Sequence, residues 1–188
     1  LILKGGFMYM SMVVVQATDS YEQHQAVWRL FPNTPDRKRD HLFRVEMINQ
    51  QGESTLLVQS STQPESNDRT QVLQVKPFNP QLTNEGFYKF KLVAYPTKCI
   101  SKGKKVVELR DEGEQVEWLQ RKLAGANVND TAMESYLVKS TKSFTSRYVC
   151  FEGVMQITNA DQIYQTLVMG IGRKKHAGAG LLSLAKAS

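Results

Sequence analysis

Metal ligands and disulfide partners are scarce in this chain, which has two cysteines and three histidines among 188 residues. Cys99 and Cys150 lie far apart in segments that read as strands, Thr97-Lys98-Cys99-Ile100 and Tyr148-Val149-Cys150-Phe151, with no CxxC spacing. That excludes a zinc ribbon or a disulfide scaffold, and a reduced, cytoplasmic protein is the simplest account. His24, His41 and His176 show no zinc spacing with each other or with the cysteines. No cluster of carboxylates suits a hard metal ion. The expectation is therefore no metal and no small-molecule cofactor. Long apolar runs are missing too, so no span crosses a membrane and no membrane partner is expected. Lys4 followed by residues 7–15 is faintly like a signal peptide, but Ser11 breaks the run and no small-residue cleavage site follows. The run reads better as a first strand, with Met8 a candidate start and residues 1–7 an upstream extension or tag remnant.

What the chain does have is basic charge, unevenly spread. Residues 1–95 carry 10 Lys/Arg against 9 Asp/Glu, and residues 96–188 carry 14 against 9, so most of the net +6 lies in the second half. An anionic partner is indicated, nucleic acid before membrane, because no basic amphipathic helix long enough to lie on lipid is visible.

Periodicity supplies the elements. A strand at about 8–16 precedes a helix opened by a Ser20/Gln23 capping box, with Val27, Leu30 and Phe31 on its buried face and Pro32 as its end. Strands at 41–47 and 54–60 flank a turn at 50–53. The polar stretch 61–71 has room only for a short helix, and 71–78 reads as a fourth strand. The order then restarts: a strand at 86–95, a basic loop at 98–105, and a helix at 114–124 with Val116, Leu119 and Leu123 inward. Strands at about 133–140 and 145–158, a helix from Asp161 and a last strand at 181–184 complete it. This predicts an α+β chain of two tandem ferredoxin-like (RRM-like) βαββαβ domains, residues 1–83 and 84–188. Trp28 and Trp118 read as core, and His41 as structural.

Twelve glycines are present, and four of them crowd one stretch: Met169-Gly170-Ile171-Gly172-Arg173-Lys174-Lys175-His176-Ala177-Gly178-Ala179-Gly180-Leu181-Leu182. Glycine lets backbone amides approach an anion closely, and Arg173, Lys174 and Lys175 add charge, so the natural ligand is a run of phosphates. A dinucleotide fingerprint or P-loop needs its glycines between a strand and the following helix. Here they follow a helix and lead into a strand. A flexible turn with solvated lysines is the plainer alternative.

Several stretches together resemble the CasE family, the CRISPR repeat-processing endoribonucleases of type I-E Cascade within the wider RAMP group. They are Tyr21-Glu22-Gln23-His24-Gln25 with Trp28-Arg29-Leu30-Phe31-Pro32, and Pro35-Asp36 with Arg39-Asp40-His41-Leu42-Phe43-Arg44-Val45-Glu46. Glu117-Trp118-Leu119-Gln120-Arg121-Lys122-Leu123, Val149-Cys150-Phe151-Glu152-Gly153-Val154 and Gly170-Ile171-Gly172, Lys175, Gly178-Ala179-Gly180-Leu181-Leu182 continue the match in family order. The resemblance implies binding of the stem-loop of CRISPR repeat RNA and metal-independent cutting at the 3′ base of the stem. In that chemistry the 2′-OH attacks the adjacent phosphate, leaving a 2′,3′-cyclic phosphate and a 5′-OH. It also implies that the mature crRNA stays bound and that the protein joins other Cascade subunits, next to the backbone subunit at the crRNA 3′ end.

The residue types suit that chemistry. An imidazole works near neutral pH, and the start of a helix is expected to hold His24 neutral and base-competent. Tyr21, three residues earlier on the same face, can orient the ribose, share the proton transfer or simply pack. Lys175 matches the family's loop lysine, with a role in stabilising charge on the phosphorane. Arg173 departs from the proline common at its position, and His176 stands where the family varies and has no assigned role. The expected RNA contacts are Lys98, Lys102, Lys104 and Lys105 in one loop and Arg121 and Lys122 at a helix end. Lys139, Lys142 and Arg147 around a hairpin join them, as do Gly170, Gly172, Arg173, Lys174, Gly178 and Gly180 in the glycine loop. They would meet phosphates and the groove of an A-form stem; the alternative for each cation is an ordinary solvated side chain. An RNA-binding Cascade subunit without turnover is the competing function. A small-molecule-binding ferredoxin-like domain would leave the basic second half unexplained.

Overall fold

Alternation along Tyr9–Val15 (β1) buries Ser11, Val13 and Val15 and leaves the residues between them half-buried. β1 is one of the two inner strands of a four-stranded antiparallel sheet in the computed structural model, which describes residues 7–187. Of the expected upstream extension, residues 1–6 lie outside the described residues. Ser54–Ser60 (β3) pairs with one edge of β1 and Thr70–Pro77 (β4) with the other, so that Val13 faces both Leu56 and Val72. His41–Ile48 (β2) extends the sheet beyond β3, giving the order β2-β3-β1-β4.

The helix between β1 and β2 spans Ser20–Trp28 (α1). Val27, with Leu30 and Phe31 just beyond it, packs on Val13, Val15, Phe43, Leu56 and Val58. Full burial of each such side chain contributes about 1.5–3 kcal/mol. The expected capping box is not formed. Asp19 is the N-cap, its carboxylate accepting from the amides of Tyr21 and Glu22. Ser20 instead gives both its amide and its hydroxyl to the Lys139 carbonyl, and Gln23 turns inward to Ser54 Oγ at 3.0 Å. The helix also stops earlier than expected. Leu30 N bonds the Val27 carbonyl in a tighter turn, and Pro32 disfavours helical backbone at the residue before it. Residues 61–69 form no helix and hold only an isolated bridge between Asn67 and Thr70.

The second sheet repeats the arrangement. Phe87–Ala94 (β5) buries Tyr88, Phe90, Leu92 and Ala94, and its other residues include the outward Lys89 and Lys91. With Ala126–Val138 (β8), Ser146–Ile157 (β9) and Leu182–Lys186 (β10) the order is β10-β5-β9-β8. Glu112–Lys122 (α2) and Ala160–Met169 (α3) contribute Trp118, Leu119 and Ile163 to the core, with Leu123 just past α2. Trp118 stacks on Phe151 with centroids 6.3 Å apart. Val116, expected inward, is 40% exposed, and Gln115 takes an inner position instead, its amide donating to the Leu109 carbonyl. The expected basic loop at 98–105 is a hairpin, Thr97–Ile100 (β6) paired with Lys105–Glu108 (β7).

The fold is therefore α+β with two ferredoxin-like sheets, the first lacking its second helix. Two compact units are present. One comprises Leu1–Asn79 with Lys139–Phe144 and His176–Gly178; the other comprises Pro80–Val138, Thr145–Lys175 and Ala179–Ser188.

Candidate functional site

The N-terminal turn of α1 carries the first candidate site, within the first unit. Asp19 holds the turn through the Tyr21 and Glu22 amides, and Thr141 Oγ1 reaches the same carboxylate at 3.4 Å. Tyr21 is half-buried; its phenol oxygen accepts from Gln25 Nε2 at 2.8 Å, and the Lys142 ammonium lies 5.9 Å from the centre of its ring. Residues of Lys139–Phe144 thus supply a hydroxyl, a cation and a carbonyl to this helix start.

His24 follows one turn later and is half-buried. Its imidazole is held below the ordinary value by burial and then by the charge of Arg39, while a hydrogen bond involving the His176 backbone acts the other way. The direction agrees with the sequence expectation, but the cause differs. His24 is the fifth residue of α1, and the field of a helix end fades within the first turn. Burial and a guanidinium do the work instead. Nδ1 of His24 is buried with no hydrogen-bond partner among the described residues.

A row of rings runs through His24. The His176 ring meets it edge-on, with centroids 5.6 Å apart, and Trp28 lies 6.3 Å on. Trp28 then meets His41 at 5.9 Å, and His41 stacks on Phe31 at 5.1 Å. Trp28 was expected in the core but is half-buried; the Arg37 guanidinium covers it at 4.3 Å and reaches Phe31 at 4.7 Å. Arg37 is fixed there by the Trp28 carbonyl and the Asp40 carboxylate, at 3.1 and 3.0 Å. Sequence reasoning missed Arg37, Arg39 and His176 as parts of this cluster. The cations of 37–39 were visible as a basic loop, but nothing local tied them to His24.

In the second unit the glycine loop is built from left-handed backbone: φ is +74° at Gly170 and Gly172, +58° at Lys174 and +96° at Gly180. Four of its amides are already taken within the protein. Gly170 N bonds the Thr166 carbonyl, Ile171 N that of Gly180, Ala179 N that of Lys174, and Gly180 N that of Val93. The glycines serve conformation and close approach: a Cβ on Gly180 would sit 2.6 Å from the Ile171 oxygen. Gly178, assigned to the first unit, packs against the Phe43 ring and is buried.

The loop cations differ from one another. Arg173 is exposed. Lys174 donates to Ser146 Oγ at 2.5 Å and lies over the Tyr95 ring at 5.0 Å; burial lowers its ammonium's pKa, against the pull of Glu108. Lys175, the family's loop lysine, donates to the Met169 carbonyl at 2.9 Å.

Elsewhere in that unit, Lys102 and Lys104 stand on the tip of the β6–β7 hairpin, Lys105 begins β7, and all three are exposed. Lys98 pairs with Glu114. Arg121 and Lys122 are exposed in the last turn of α2, with the Lys122 ammonium 5.8 Å from the Trp118 ring. Arg147 is half-buried; its amide donates to Glu108, and its Nε is buried without a hydrogen-bond partner among the described residues. Among the described residues no group of three His, Cys, Asp or Glu side chains is placed to hold a metal ion. Neither cysteine forms a disulfide, and no described helix is long and apolar enough to cross a membrane.

Comparison with known proteins gives a consistent result. A family model described as CRISPR associated protein matches residues 11–186. The chain is 37% identical to the CRISPR system Cascade subunit CasE of Escherichia coli K12, covering 95% of this chain and 99% of that protein. It is 28% identical to the CRISPR-associated endoribonuclease Cse3 of Thermus thermophilus, covering 88% and 89% respectively. The structure of Thermus thermophilus Cse3 bound to an RNA representing a pre-cleavage complex superposes with a TM-score of 0.84, at 25% identity, over 95% of this chain and 99% of that one.

Proposed function

The chain belongs to the CRISPR associated protein family, and on that premise we propose that it is an endoribonuclease acting on CRISPR repeat RNA. It binds the stem-loop of the repeat and cuts precursor crRNA at the 3′ base of the stem. The product stays bound, and the protein serves as a subunit of a Cascade complex in the cytoplasm. The observation that carries the reading is the half-buried His24 at the start of α1, kept neutral by burial and Arg39, with Tyr21 one turn before it.

In this reading the nucleophile is the 2′-hydroxyl of the RNA itself, so the reaction requires no metal. Neutral His24 accepts its proton as O2′ attacks phosphorus. Tyr21 orients the ribose. Lys175 stabilises the charge on the phosphorane, for which its ammonium must exchange the Met169 carbonyl for a phosphate oxygen. The products are a 2′,3′-cyclic phosphate and a 5′-OH. The first unit carries Tyr21 and His24, and the second, which begins at Pro80 rather than at the expected residue 84, carries Lys175 and most of the cations that grip RNA. The cations of the β6–β7 hairpin and of the end of α2 meet stem phosphates, with Arg147 and Arg173. Lys139 and Lys142, in the same unit as Tyr21, also meet phosphates, and Gly170, Gly172, Gly178 and Gly180 of the glycine loop join the contacts.

The test uses purified protein, a stem-loop RNA with the repeat sequence of the host's own CRISPR array, and EDTA in the buffer. A second RNA carries 2′-deoxy at the scissile nucleotide. One cut in the all-ribose RNA alone is expected, and His24→Ala should lower its rate by at least about 10²–10⁴-fold with hairpin affinity retained. Tight binding with no cut in either RNA would replace this reading with that of an RNA-holding subunit without turnover. Cutting that EDTA abolishes would overturn the chemistry.

A further inference from the structure

Attack by a 2′-hydroxyl requires two proton transfers, one off the nucleophile and one onto the departing 5′-oxygen. The reading above provides for the first and leaves the donor for the second unassigned. We propose that His176 is that donor, the general acid paired with His24 as base; the inference rests on the endoribonuclease reading.

Three observations meet at this pair. The rings of His176 and His24 stand edge-on with centroids 5.6 Å apart, so one bound phosphate can reach both imidazoles. His176 sits on a short 3₁₀ turn, Lys175–Ala177, and is exposed, whereas His24 is half-buried against Trp28. Two titratable groups of one kind in different surroundings can divide the roles of acid and base. The His176 ring is open to solvent, while burial lowers the affinity of the half-buried His24 ring for a proton. The groups that face His24 are Arg39, whose charge lowers its pKa, His176, whose backbone hydrogen-bonds it, and His41, whose pKa the charge of His24 lowers in turn, with Tyr21 one turn away along α1 and Arg37 beyond Trp28. Lys174 and Lys175 precede His176 in the chain.

The step balances without a further reactant. His24 takes the proton of the 2′-hydroxyl while the O2′–P bond forms. The P–O5′ bond breaks, its electron pair stays on O5′, and His176 imidazolium delivers the proton there. The products are the cyclic phosphate, the 5′-hydroxyl, protonated His24 and neutral His176, and exchange with water restores both.

The test compares wild type, His176→Ala and His24→Ala on two versions of the same stem-loop RNA. One carries the ordinary linkage, and the other has sulfur in place of the bridging 5′-oxygen at the scissile phosphate. A thiolate leaves without being protonated. His176→Ala should therefore cut the oxygen substrate about 10²–10⁴-fold more slowly than wild type and the sulfur substrate at close to the wild-type rate. His24→Ala should be slow on both, and hairpin affinity should survive both changes. The bell-shaped pH–rate profile of the wild type should lose its alkaline limb in His176→Ala and keep its acidic one. Equal rates for His176→Ala and wild type on the oxygen substrate, equal slowing on both substrates, or sulfur rescue of His24→Ala would each overturn the assignment. A wild-type protein that binds the all-ribose RNA but leaves it whole would instead overturn the function beneath it, a different and recognisable outcome.

Discussion

His41 is 3% exposed, stacked on Phe31 with its edge to Trp28. Burial, followed by the Arg37 charge, pushes its imidazole down to about 4, with Asp40 pulling the other way. An unfolded chain would bind the proton near pH 6.5. Between those values the unfolded state holds a proton that the folded state rejects, so stability rises with pH. It is complete above about 6.5 and falls as pH drops towards 4, by about 3 kcal/mol in all. Burial alone would raise Asp40, but hydrogen bonds from Thr62, Ser61 and Arg37 outweigh it and hold the carboxyl at about 2. Its contribution is present above its ordinary value near 3.8 and is lost at lower pH still. Thermal unfolding followed by circular dichroism should show two successive losses on acidification. His41→Phe, which keeps a ring beside Phe31, should remove most of the first and leave a smaller slope from His24. An unchanged slope would assign the loss to other groups. At this scale the spacing of Tyr21 and His24 on one helix face was legible. The source of the imidazole shifts was not, because burial and Arg37 or Arg39 are supplied by residues outside the helix.

Elements were most readable where one face is apolar. The alternation of β1 and β5 and the ends of α3 follow from residue type alone, and Asn159 caps α3 by accepting from the Gln162 amide. The readings failed where two local signals compete. At Asp19-Ser20 both side chains can cap; the carboxylate does so because Ser20 is taken by the Lys139 carbonyl. At 98–105 the lysines suggested a loop, although Thr97–Ile100 also read as a strand; that strand is formed, and it pairs with Lys105–Glu108 in a hairpin. The glycine loop gives the clearest test of conformation against close approach. Gly180→Ala meets both a left-handed φ and the Ile171 oxygen at 2.6 Å. Gly103→Ala meets a similar φ of +83° with nothing within 4 Å. Denaturant titration should give a loss of about 1–2 kcal/mol for Gly103→Ala, the cost of left-handed backbone in an L-residue, and a larger one for Gly180→Ala. Equal losses would remove the Ile171 oxygen from the account.

For the whole molecule, excess positive charge is the property that a polyanion reads. Affinity for a repeat stem-loop should fall steeply with salt, because each phosphate that a cation neutralises releases a counterion. Changing Lys102, Lys104 and Lys105 to Ala together should flatten the plot of log affinity against log salt by about 0.7–0.9 for each phosphate no longer neutralised. The melting temperature should stay nearly unchanged, since the three side chains are exposed. A slope equal to wild type would make them ordinary solvated cations.

The sequence alone determined the order of the strands in the two four-stranded sheets and of the three helices, the basic second half and the candidate pair Tyr21 and His24, because each is written in residues a few places apart. Periods of two and of 3.6 fix which neighbours share a face. Tertiary structure alone decided that His176 meets the edge of His24, that Arg37 covers Trp28, and that the Lys139 carbonyl holds the first residue of α1. It also decided which loop glycines keep their amides to themselves. Such contacts join residues remote in the chain, and they depend on how sheets and helices bury one another, which no local window contains.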